Sequence, residues 1–64
     1  MLVNGSPRAL EQPLSLAEFL KQEGYRQELV AVECNGVIIR RSAYGSTLVD
    51  NETTLEIVSF VGGG

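Results

Sequence analysis

The chain contains no histidine, no tryptophan, a single cysteine and only five basic residues among 64. Each shortage removes a class of function. Without histidine, the side chain that ordinarily titrates near neutrality is missing, and with it the usual base beside a nucleophile and the usual zinc ligand sets. The lone Cys34 cannot close a disulfide within the chain. A net charge of −3, with Arg8, Lys21, Arg26, Arg40 and Arg41 spread along the sequence, repels a phosphate backbone, so nucleic acid is not an expected partner. No stretch approaches the roughly 20 apolar residues of a membrane span, and the N-terminus has no basic segment followed by an apolar core. No membrane association is expected, and a cytoplasmic location follows by default. The eight carboxylates are scattered, with Glu18, Glu23 and Glu28 reading as caps or solvated charges. Neither a metal site nor an enzyme is expected from this inventory.

What is present is enough for one small domain. A hydrophobic share of 44% and a charged share of 20% are ordinary for a globular chain. Asn4-Gly5 accepts the positive φ values of a tight hairpin, so a short strand at the start should return near residues 8–10. Ser15 and Glu18 have the spacing of a capping box, Leu14 and Phe19 that of a hydrophobic staple, and Gly24 supplies a left-handed stop. These signals predict a helix of about two and a half turns carrying Leu16, Phe19 and Leu20 on one stripe. Residues 29–34 alternate with period two, placing Val30, Val32 and Cys34 on one face and Ala31 and Glu33 on the other. Asn35-Gly36 predicts a second hairpin, with Val37, Ile38 and Ile39 as its return strand.

Further along, Ser42, Ala43 and Tyr44 read as a turn or single helical turn closed by Gly45, with Leu48 plugging the core beneath it. After a polar turn at Asp50, Asn51 and Glu52, residues 54–60 alternate again. Leu55 and Ile57 fall on one face, and Glu56, Val58 and Phe60 on the other. One helix cannot cover both faces of a four- or five-stranded sheet, so Leu16, Phe19 and Leu20 should pack on Val30, Val32, Leu55 and Ile57, leaving the second face wet. The expected division is a folded body over residues 1–61 and a flexible glycine tail over 62–64.

The tail supports two readings. Gly62, Gly63 and Gly64 are either a frayed or added end, or a working part of the molecule. Residues without Cβ present the thinnest peptide, able to thread a partner's narrow cleft and carry a carboxylate roughly 10 Å beyond the body. That carboxylate, ionised at neutral pH, attacks an activated phosphate readily but is a poor acyl electrophile, so it needs activation from outside. Val58 and Phe60, projecting just before the tail, are either anchors for such a partner or incidentally exposed strand residues. Cys34 reads as a small inward-facing apolar residue, against the alternative of a reactive thiol passing sulfur to the tail.

Val3-Asn4-Gly5, the segment from Leu16 to Leu20, the block from Val30 to Gly36, Arg41-Ser42 and the run from Glu56 to Gly64 together resemble the ThiS family of sulfur carrier proteins in thiamine biosynthesis. The resemblance covers nearly the whole chain. It implies an α+β fold of the β-grasp (ubiquitin-like) type, with a mixed four- to five-stranded sheet on one short helix. It further implies that Gly64 is adenylated with ATP-Mg by a ThiF-like adenylyltransferase, with no cofactor bound stably by the carrier itself. The adenylate would become a thiocarboxylate, fed by a sulfur donor such as a cysteine desulfurase system, and a ThiG-like thiazole synthase would consume the sulfur. Gly63 and Gly64 match the family's obligatory pair. Related chemistry leaves two alternatives, a carrier serving molybdopterin or another sulfur-containing product, and a ubiquitin-like protein modifier. The sequence departs from the family at Asp50-Asn51-Glu52, where Asp-Gly-Asp is usual; asparagine tolerates the left-handed conformation, so the turn should survive.

Overall fold

A computed structural model describes residues 1–60. Strand β1 (Leu2–Val3) turns through Asn4 and Gly5, at φ 51° and 84°, into β2 (Ser6–Pro7). The return strand is therefore a register closer to the turn than residues 8–10, as a two-residue loop with both φ values positive requires. Strand β3 (Leu14–Ser15) runs directly into helix α1 (Leu16–Gln22). Ser15 caps it, its Oγ accepting the Glu18 N–H at 3.1 Å, while the reciprocal glutamate half of the capping box does not form among the described residues. The helix ends in a Schellman motif. Gly24 at φ 84° donates to the Lys21 carbonyl, and Tyr25 donates to that of Leu20, so a side chain at Gly24 would be strained even though the space around it is open.

Strand β4 (Val30–Cys34) and β5 (Val37–Ile39) form the second hairpin, β6 (Leu48–Val49) pairs antiparallel with β3, and β7 (Thr54–Ser59) closes the fold. The main sheet has the order β2-β1-β7-β4-β5. Only β1 and β7 are parallel; the other neighbours run antiparallel. The last strand in sequence thus occupies the centre, and α1 covers one face.

The core contains Leu16, Phe19, Leu20, Val30, Val32, Leu55 and Ile57, as the alternation predicts, together with Val3, Tyr44 and Val49. Leu14 packs against this cluster, in keeping with the staple. Arg8 lies over the Phe19 ring, 6.0 Å from its centroid, and pairs through two guanidinium nitrogens with Glu23, which holds its pKa above the ordinary arginine value. Three further expectations need correction. Leu48 is 71% exposed and Val49 fully buried, because pairing of β6 with β3 turns Val49 inward. Leu29 belongs to a 3-10 turn (Gln27–Leu29) and not to the strand. The later helical turn covers Arg41–Ala43, with Tyr44 as its C-cap and buried beneath the helix side of the sheet.

Asn51 provides another difference. Among the described residues, positive φ values at non-glycine positions occur only at Asn4 and Asn35, so Asn51 does not use the left-handed conformation. The turn persists because the Asn51 side chain accepts from the Leu10 N–H at 2.7 Å and donates to the Leu10 carbonyl at 2.9 Å. Its own carbonyl receives the N-terminal ammonium at 2.6 Å, and Asp50 Oδ1 accepts from the Glu52 N–H.

Candidate functional site

The candidate site begins where β7 leaves the sheet. This strand is gripped from both sides by the two Asn-Gly turns. On the β1 side, Asn4 Oδ1 accepts the Ile57 N–H at 2.7 Å and Nδ2 donates to the Ile57 carbonyl at 3.1 Å. The side-chain amide thereby continues the ladder at the point where the β1 backbone turns away. On the β4 side, Asn35 Oδ1 accepts the Thr54 N–H at 2.9 Å, and the Asn35 N–H donates to the Thr54 carbonyl. Past the strand, the Phe60 N–H donates to the Leu29 carbonyl at 2.8 Å, and Arg41 Nη2 donates to the adjacent Glu28 carbonyl at 3.2 Å. The exit of the described chain is therefore fixed beside a guanidinium.

Val58 and Phe60 are 60% and 50% exposed, in agreement with the strand alternation. Val58 lies opposite Ala31 on the uncovered sheet face, where Ala31, Val32, Glu33, Ile38, Glu56 and Val58 line a shallow depression of ≈ 200 Å³. Ile38, 76% exposed, is the feature the sequence did not single out. Its signal was available: it is the middle residue of a three-residue return strand, opposite Glu33 and hence on the face away from the helix. The second face is open but carries an apolar centre, rimmed by Glu33 and Glu56 directly opposite one another. Phe60 stands beyond that depression, next to Leu29.

Gly62, Gly63 and Gly64 lie outside the described residues, as does the boundary expected between residues 61 and 62. Cys34 is half-buried at the end of β4, its thiol pushed above the ordinary value by burial and, secondarily, by the negative charge of Asp50. A thiol held in its protonated form is a weak nucleophile, in line with the packing role. Among the described residues, no cluster of three or more potential metal ligands occurs, and no helix is long and apolar enough to cross a membrane.

Known proteins share this architecture. A crystal structure of the thiamine biosynthesis protein ThiS from Geobacter metallireducens superposes with a TM-score of 0.81 at 33% identity, covering 98% of this chain and 96% of that one. Its solution structure gives 0.80 at the same identity. A thiazole synthase of Magnetococcus marinus is 36% identical over 62 residues, 97% of this chain, but the match covers 19% of that protein. The chain thus spans about a fifth of the length of the thiazole synthases it resembles, a second being that of Paramagnetospirillum magneticum. A protein of Pyropia yezoensis described only as ycf40 is 34% identical over 87% of its own length. The ThiS family model matches residues 1–64, and together with the β-grasp fold this establishes that the chain belongs to the ThiS family.

Proposed function

We propose that this chain is a sulfur carrier of thiamine biosynthesis whose reactive atom is the carboxyl carbon of Gly64. A carboxylate oxygen attacks the α-phosphorus of ATP-Mg at a ThiF-like adenylyltransferase, forming the acyl–phosphate bond and releasing pyrophosphate. A persulfide delivered by a cysteine desulfurase system then displaces AMP to give an acyl disulfide. A second thiol cleaves its S–S bond, leaving the thiocarboxylate and a disulfide, and the thiocarboxylate gives its sulfur to a ThiG-like thiazole synthase. Water would hydrolyse the adenylate, so the step belongs in a partner's closed site. The chain contributes presentation, not catalysis.

Membership of the ThiS family carries this reading. Two structural features support it. The central strand is fixed by neighbours on both sides and precedes the glycine-rich segment in sequence, and Val58 at its end and Phe60 just after it are exposed for contact with a partner. The ThiS-like segments within proteins named thiazole synthase support a receiving enzyme of that kind.

The test is intact-mass spectrometry after incubation with ATP, the adenylyltransferase and a sulfur source. One oxygen-to-sulfur exchange is expected, and it should vanish when Gly64 is deleted or when Gly63→Val widens the tail. Exchange that survives deletion of Gly64 would refute the assignment, as would a natural protein that never exposes Gly64 as its terminus.

A further inference from the structure

The two Asn-Gly turns share one backbone conformation but not one chemistry. Asn4 and Asn35 both have φ 51°, and the glycines after them both have φ 84°. In both turns the glycine N–H makes no hydrogen bond among the described residues, and no atom beyond the chain neighbours stands within 4 Å of where a Cβ would sit. Each glycine N–H is thus free of a protein acceptor among the described residues, and its nitrogen is the backbone nitrogen that follows an asparagine side-chain amide.

The amides differ. Asn4 is held at both ends by Ile57, its oxygen accepting and its nitrogen donating. Asn51, the remaining asparagine, is likewise held at both ends by Leu10 and is followed by Glu52. All three residues are exposed, but the Asn35 side chain is held by its oxygen alone; among the described residues its Nδ2 has no acceptor. Nδ2 is the leaving group in deamidation, and among the described residues it lacks a protein acceptor only at Asn35.

We propose that Asn35-Gly36 is a spontaneous deamidation site that reacts well ahead of Asn4-Gly5. The Gly36 nitrogen gives up its proton to solvent base and bonds to Cγ of Asn35. The Cγ–Nδ2 bond breaks, Nδ2 leaves as ammonia after taking a proton from water, and a succinimide remains. Water then opens either imide carbonyl, giving aspartate or isoaspartate at position 35 and adding one negative charge. The isoaspartyl product routes the backbone through an extra methylene. The pairing of Cys34 with Val37, which depends on a two-residue loop, is then lost, and Ile38 is displaced on the open face. This chemistry is independent of the sulfur-carrier reading.

The test is incubation of the folded protein in mildly alkaline oxygen-18 water, followed by proteolysis and peptide mass mapping. The peptide containing Asn35 should incorporate label about fivefold faster than that containing Asn4, a ratio corresponding to the one hydrogen bond by which the two sites differ. Isoaspartyl methyltransferase should mark the same peptide. Conversion of Asn4 at an equal or greater rate overturns the proposal, as does the absence of conversion at Asn35. Asn35→Gly, which keeps a glycine-compatible turn, should remove the label from this peptide; label persisting there also overturns it.

Discussion

The side-chain grip of Asn4 on the central strand yields a quantitative expectation. Asn4→Gly keeps the positive φ, because glycine adopts it without a steric penalty, but removes both bonds to Ile57. At about 1 kcal/mol net for each intramolecular hydrogen bond, the loss is about 2 kcal/mol. Asn35→Gly, at the matching position across the strand, removes a single side-chain bond and should cost about 1 kcal/mol. A domain of this length has a total stability of about 3–10 kcal/mol, so the Asn4 change is a large fraction of it. It corresponds to a fall in melting temperature of about 10 °C. Urea titrations followed by circular dichroism measure both variants against the parent. Because each replacement introduces the same residue at the same φ, the backbone contribution cancels in the comparison. Equal destabilisation by the two substitutions, or a greater loss at Asn35, would refute the argument that the amide of Asn4 completes the β1–β7 ladder.

Other expectations follow from the same geometry. Val49→Ala should cost about 2 kcal/mol, whereas Leu48→Ala should change the unfolding free energy by less than about 0.5 kcal/mol; equivalent losses would put Leu48 back in the core. Phe60→Ala should leave the melting temperature nearly unchanged while weakening binding to the adenylyltransferase about tenfold, as titration calorimetry would show; unchanged affinity removes Phe60 as an anchor. Cys34 should react with a thiol reagent severalfold more slowly than free cysteine at pH 8, since burial holds its proton on. The sign for stability follows. The native state retains a proton that the unfolded chain begins to lose near pH 8.5, so this contribution is intact below that value and declines as pH rises through it. A stability that climbs across that range in the parent but not in Cys34→Ala would contradict the assignment.

The parts of the fold legible in the sequence are those with local chemical signatures. Ser15 before an apolar stripe, Gly24 after it, and the two Asn-Gly pairs each satisfy a backbone requirement within a few residues, and each appears where its spacing predicts. Alternation in β4 and β7 identifies the sheet half of the core because a period of two is unambiguous over five or six residues. The β3–β6 pair has two residues in each strand and no period to read, so Leu48 and Val49 exchange roles relative to expectation. Tyr44 is buried by its position between elements distant in sequence, which no local pattern encodes. On the site, the exposure of Val58 and Phe60 follows from alternation, whereas their neighbours Ala31 and Ile38 depend on cross-strand register. The side-chain bridges of Asn4, Asn35 and Asn51 are likewise long-range. Sequence identifies asparagine as a turn residue, and only the assembled sheet shows what its amide holds.

Placing β7 between β1 and β4 also has a bearing on synthesis. On the ribosome, the β1–β2 and β4–β5 hairpins emerge well before the strand that must lie between them, and the two cannot join into one sheet until β7 has cleared the exit tunnel. An interrupted chain lacks the keel of its sheet and should remain open to proteases. Degradation would therefore remove unfinished copies before they could compete with complete ones for a shared partner.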